Sequence, residues 1–133
     1  MNDRIGARPT VLVVDDSELA CEAVRHALGE AQFDVVALSS PFGFIKAVRE
    51  ARPSLILVDV GLGSVNGTKL VRLGREHAPN GCPIVLYSSR EQEMLERDVL
   101  ASGADGYITK STTGTELSSR VKQWIARPRS PKR

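Results

Sequence analysis

Three short stretches are apolar at nearly every position: Thr10 to Val14 (TVLVV), Leu55 to Val58 (LILV) and Pro83 to Tyr87 (PIVLY). A strand with one face in water alternates apolar and polar residues. A strand covered on both faces does not, and such strands belong to parallel sheets sandwiched between helices. The segments between these runs carry helical spacing instead. Ala20, Ala23, Val24, Ala27 and Leu28 recur on one helical face, with Ser17 or Asp16 as N-cap and Gly29 near the end. Phe33 to Leu38 (FDVVAL) reads as a second strand. Pro41 to Ala51 reads as a helix with Phe44, Ile45 and Val48 inward.

The alternation continues to the end of the chain. A glycine-containing loop, Gly61 to Gly67, follows the LILV strand. Thr68 to Ala78 is a helix with Leu70, Val71 and Leu73 as its apolar positions, broken by Pro79 and Gly81. Glu91 to Ser102 is a helix with Met94, Leu95 and Val99 inward, stopped by Gly103. Gly106 to Thr109 is a short fifth strand. Thr113 to Ala126 is the last helix, with Leu117, Val121, Trp124 and Ile125 on one stripe. Five strands alternating with five helices predict an α/β fold, a five-stranded parallel sheet with helices on both faces.

The 133 residues suffice for one domain and one core. Residues 10–126 form the expected domain, between a loose segment 1–9 and a basic tail 127–133. That tail holds Arg127, Arg129, Lys132 and Arg133; outside it, 14 basic residues face 16 acidic ones. A solvated linker is the expected reading of the tail, and nucleic-acid binding is not expected of this domain. Cys21 and Cys82 have no metal-like spacing and read as free thiols; His26 and His77 lie in helical stretches and carry no catalytic pattern. The N-terminus MNDRIGARPT lacks the apolar core of a signal peptide, and no apolar run is long enough to span a membrane. The expected location is the cytoplasm.

In an open parallel sheet, ligands bind beyond the carboxyl ends of the strands. The first strand ends in Asp15-Asp16, the third in Asp59, the fourth in Ser88 and the fifth in Lys110. Carboxylates gathered at one edge repel one another, and a hard cation such as Mg²⁺ relieves that repulsion. A carboxylate can attack phosphorus to form an acyl phosphate. An ammonium and a hydroxyl would stabilise charge on the transferring oxygens. The set therefore predicts a site for phosphate and a divalent metal.

These residues resemble the receiver domain of two-component response regulators over about Thr10 to Ile125. The likeness rests on Asp15-Asp16 after VLVV, Asp59 after LILV, Gly67, Ser88 after PIVLY, and GADGYITK from Gly103 to Lys110. It implies the flavodoxin-like strand order 2-1-3-4-5. It implies that Asp59 is the phosphoacceptor, and that Asp15, Asp16, Asp59 and the backbone carbonyl of Gly61 hold Mg²⁺ or Mn²⁺. Lys110 and Ser88 would contact the phosphoryl group, and Ser88 with Tyr107 would form the switch. The implied partners are a histidine kinase or phosphotransfer protein, and a downstream protein or output domain. That output would be reached through the face of the fourth helix, fifth strand and fifth helix. A monomer or a weak phosphorylation-dependent dimer is expected. Self-phosphorylation from a phosphodonor and slow loss of phosphate are also expected, rather than the turnover of a conventional enzyme.

Some positions depart from the family pattern. Ser111 follows Lys110 where the family usually has proline after a cis bond. A cis bond before a non-proline residue costs about 3–4 kcal/mol, so this one is either trans or held under strain. Gly63 stands where the family often has proline. Gly61 and Arg90 occupy positions that tune phosphate lifetime in the family. Two other readings fit the same fold: a receiver-like interaction module independent of phosphate, and a flavodoxin-like cofactor protein. The latter needs a Ser/Thr/Gly-rich phosphate loop after the first strand, where this chain has Asp15-Asp16.

Overall fold

The structure is a computed structural model and describes residues 8–60 and 67–127. Its strands are β1 (Thr10–Val14), β2 (Asp34–Leu38), β3 (Leu55–Val58), β4 (Ile84–Ser88) and β5 (Gly106–Thr109). Its helices are α1 (Glu18–Glu30), α2 (Phe44–Ala51), α3 (Gly67–His77), α4 (Gln92–Ser102) and α5 (Gly114–Ala126). All strand pairs are parallel, in the order β2-β1-β3-β4-β5. The chain moves outward from β1 to β2, then crosses back to β3, so the order reverses between β1 and β3.

Alternation along the strands sorts the core into two layers. Val11, Val13, Leu55, Leu57, Val85, Tyr87 and Ile108 pack with Val24 and Leu28 of α1 and with Leu117 and Val121 of α5. Leu12, Val14, Ile56, Val58, Ile84 and Leu86 pack with Phe44 and Val48 of α2 and with Leu70 and Val71 of α3. Both faces of β3 and β4 are buried, as their unbroken apolar sequences predict.

Most element ends fall where turn chemistry puts them. Ser17 is the N-cap of α1, its hydroxyl accepting from the Ala20 amide at 3.1 Å. Gly103 closes α4 in the left-handed region at φ 82°. Helix α2 starts at Phe44, three residues later than Pro41 suggests. Gly43 sits at φ 78°, outside helical space, and the Ser40 hydroxyl accepts from the Phe42 amide at 3.3 Å in a turn of its own. In α4, Leu95 is fully buried and Val99 partly so, but Met94 is 37% exposed. Adjacent residues on a helix point about 100° apart, so Leu95 and Val99 take the inner stripe and Met94 turns away from it. Trp124 is half-buried. Its ring lies over Gly106, where an added Cβ would come within 2.4 Å of it, and the Arg127 guanidinium stacks on it at 4.2 Å.

At the amino end of β4 and β5, Asp105 ties the two strands together. Its amide donates to the Ile84 carbonyl at 2.8 Å, and its carboxylate accepts from the Ile84 amide at 2.7 Å. Arg75 of α3 completes the joint, donating to the Asp105 carboxylate at 3.0 Å and to the Gly103 carbonyl at 2.9 Å.

Candidate functional site

The reversal between β1 and β3 places Asp15 and Asp59 next to each other beyond the strand ends, where the Asp59 amide donates to the Val14 carbonyl at 3.0 Å. Period-two alternation then decides which way each side chain faces. Asp15 follows Val11 and Val13, and Asp59 follows Leu55 and Leu57, so both carboxylates fall on the α1/α5 side of the sheet. Lys110 follows Ile108 onto the same side. Ser88 and Tyr107 have the opposite parity, and Tyr107 packs against the α2/α3 layer. The site thus straddles the sheet edge, with acids and amine on one side and hydroxyl and aromatic ring on the other.

Carboxylate oxygens of Asp15, Asp16 and Asp59 lie within 4.8 Å of one another. Asp15 is completely buried and Asp59 is 8% exposed, while Asp16 faces solvent. Lys110 Nζ lies 2.6 Å from Asp15 Oδ2 and 3.8 Å from Asp59 Oδ2. The other Asp15 oxygen accepts from the Ser17 amide at 2.9 Å. Three carboxylates against one ammonium leave an excess of negative charge in a mostly buried place, and all the donors are hard oxygens. That set fits a divalent cation of the Mg²⁺ type. Gly61, the fourth expected ligand, lies outside the described residues, as does Gly63.

The buried Ser88 hydroxyl accepts from the Arg90 amide at 3.1 Å. Arg90 in turn pairs with Asp98 of α4 at 3.0 Å. The Lys110 amide donates to the Ser88 carbonyl at 2.9 Å, so the β4–β5 ladder runs to the lysine itself. Every peptide bond among the described residues is trans, that between Lys110 and Ser111 included.

The structure adds two neighbours to the cluster, Tyr87 and Cys21, the latter read from the sequence only as a free thiol. The ring of buried Tyr87 lies beneath Lys110, its centroid 5.6 Å from Nζ. Cys21, a free thiol buried in α1, donates to the Asp15 carbonyl at 3.4 Å. Burial pushes the Cys21 thiol above its ordinary value, and the Asp15 charge adds to this. Burial first, then Asp15 and Cys21, likewise raise the Tyr87 phenol. The signal for Tyr87 was its parity with Lys110, two strand positions beyond its partner Ile108.

An open parallel sheet of this order, with acids at the reversal and a lysine two strands away, defines a narrow class. The family model for the response regulator receiver domain matches residues 11–122, and the chain belongs to that family. It is 35% identical over 120 residues to the DNA-binding response regulator MtrA of Mycobacterium tuberculosis, an alignment covering 90% of this chain and 52% of MtrA. It is 29% identical to the transcriptional regulatory protein AfsQ1 of Streptomyces coelicolor, covering 90% of this chain and 52% of that protein. The chain spans about half the length of these curated relatives. Among solved structures, a response regulator from Thermotoga maritima superposes with a TM-score of 0.78 at 30% identity, covering 90% of this chain and 99% of that one. The BeF3-activated receiver domain of Klebsiella pneumoniae RstA superposes at 0.77 with 26% identity, covering 89% and 99%. The chain is therefore a receiver domain of two-component signalling. Among the described residues, no helix is long and apolar enough to cross a membrane.

Proposed function

We propose that Asp59 accepts a phosphoryl group from a histidine kinase or phosphotransfer protein and that the chain relays this event to a protein partner or output domain. The observation that carries the reading is the placement of Asp59, within 4.8 Å of the Asp15 and Asp16 oxygens and 3.8 Å from the Lys110 ammonium. In the transfer, an Asp59 carboxylate oxygen forms the new O–P bond. The P–N bond to the donor imidazole breaks, and its electron pair stays on that ring. Lys110 supplies positive charge for the phosphoryl oxygens, and the Ser88 hydroxyl supplies a hydrogen bond once it leaves the Arg90 amide.

Asp15, Asp16 and Asp59, with the carbonyl of Gly61, would hold Mg²⁺ or Mn²⁺. When bound, the ion offsets the charge of the carboxylates and of the incoming phosphoryl oxygens. Movement of Ser88 carries the β4–α4 loop with it, and Tyr107, of the same parity, follows. The face of α4, β5 and α5 is then the readout surface. Residues 10–126 act as the receiver, in the cytoplasm, as a monomer or a weak phosphorylation-dependent dimer. DNA contact, which the names of several relatives record, is assigned to an output rather than to this domain.

A heteronuclear NMR titration tests the reading. Mg²⁺ is added first, then beryllofluoride as an acyl-phosphate mimic, to wild type and Asp59→Asn. Mg²⁺ is expected to shift resonances near Asp16 and Asp59, and beryllofluoride to shift the Tyr107 face in wild type alone. A spectrum unmoved by both overturns the phosphoacceptor reading and leaves a constitutive interaction module.

A further inference from the structure

Lys110 is the one long side chain in the site that must hold its end at a fixed point. Its base is held by the bond from its own amide to the Ser88 carbonyl and by a short hydroxyl cluster, neither of which reaches the end of the side chain. Thr109 Oγ1 lies 2.8 Å from Ser111 Oγ and 3.3 Å from Thr112 Oγ1. The side chain itself is 21% exposed. An unsupported lysine stem has many rotamers, and selecting one is entropically costly. The structure supplies a support that β4 provides from below. Tyr87 pairs with Ile108 and shares its face, so its ring sits one layer beneath Lys110. Nζ is 5.6 Å from the ring centroid, within cation–π range. The ring is 2% exposed and fixed in the core. A phenol of ordinary pKa is already neutral near pH 7, and burial only raises it further, so the ring adds no charge to the cluster.

We propose that Tyr87 is a positioning residue for Lys110, its ring forming the floor that holds the ammonium between Asp15 and Asp59. The aromatic face does this work, and the hydroxyl is dispensable. An aliphatic residue at 87 would fill much of the same core volume but offer no attraction for a cation. The effect on phosphoryl transfer rests on the reading of Asp59 above; the effect on Lys110 itself does not.

The experiment compares wild type, Tyr87→Phe and Tyr87→Leu by two readouts. In the first, the Lys110 ε-methylene resonances are assigned by NMR without phosphodonor. Ring current is expected to place them upfield of the other lysines in wild type and Tyr87→Phe, and to leave them unshifted in Tyr87→Leu. In the second, phosphorylation by acetyl phosphate with Mg²⁺ is timed. The Tyr87→Leu rate is expected to fall about fivefold, as loss of a partly desolvated cation–π contact implies, with Tyr87→Phe at the wild-type rate. Equal loss in both variants, or a Tyr87→Leu protein with wild-type rate and unmoved Lys110 resonances, overturns the proposal. If Tyr87→Leu does not fold, unshifted Lys110 resonances in wild type overturn it alone. If wild type takes up no phosphoryl group, the Asp59 reading falls, and the Lys110 resonances still decide the role of Tyr87.

Discussion

Lys110 leans toward Asp15, at 2.6 Å, rather than toward Asp59, at 3.8 Å. Asp15 is the more deeply buried carboxylate and has the greater need of a counter-charge. Lys110→Met therefore leaves a buried carboxylate next to two others with no cation among them. The variant is expected to lose about 1–3 kcal/mol of stability. Mg²⁺ should restore more stability to Lys110→Met than it adds to wild type. In wild type, an ion at tenfold over its Kd adds about 1.4 kcal/mol. Thermal melts of both proteins with and without Mg²⁺ check the difference; an equal gain would count against a shared cation site.

Gly106 is packed under Trp124 so closely that a Cβ there would lie 2.4 Å from one ring carbon and 2.6 Å from another. Gly106→Ala must push the indole off β5 and break its stacking on Arg127. The expected loss is about 1–3 kcal/mol, the usual cost of overpacking. Trp124 is the only tryptophan, so its emission should move to the red as the ring reaches water. Urea denaturation followed by fluorescence measures both.

Alkaline pH should unfold the domain partly through two buried acids. The folded values of Cys21 and Tyr87 lie above the ordinary 9.0 and 10.0. The folded state thus holds these protons more tightly than the unfolded state. The stability they contribute is fully present below about pH 9 and is lost as pH rises through the folded values. Cys21→Ala and Tyr87→Phe should each flatten the decline above about pH 9. Urea midpoints across that range, compared with wild type, check the sign.

Arg90 and Asp98 form an ion pair whose side chains are 44% and 24% exposed. Solvent screens such a pair, and Asp98→Asn is expected to cost less than about 1 kcal/mol. The bond to the Ser88 hydroxyl is donated by the Arg90 backbone amide, not its side chain, and should survive. A double-mutant cycle with Arg90→Gln, read by urea denaturation at low and high salt, gives the coupling; a large salt-independent value would show a pair more buried than this geometry.

The strands and the site edge were legible because period-two alternation and unbroken apolar runs are properties of sequence alone. TVLVV and LILV place Asp15 and Asp59 at strand ends before any packing is known. The start of α2 differs from the sequence expectation because Pro41 signals a helix start, while the positive φ of Gly43 that delays it is a backbone choice the letters do not display. Met94 and Leu95 are adjacent apolar residues that compete for one stripe, and sequence alone does not choose between them. The preference of Lys110 for Asp15 is a matter of side-chain burial. The Gly106–Trp124 contact joins residues from different elements, and no periodicity encodes it.

A strand that is apolar on both faces gives the hydrophobic core little reason to prefer one alignment over its neighbour by a single residue. β4 is such a strand, and a slip of one position would turn Ser88 to the side of the acids and Tyr87 to the side of the switch. Asp105 holds Ile84 by both amide and carboxylate at the far end of the same strand. The alignment of the chemistry is thus indexed from the opposite rim of the sheet, like a ruler zeroed at its other end. An error there would be written into the site with the core almost unchanged.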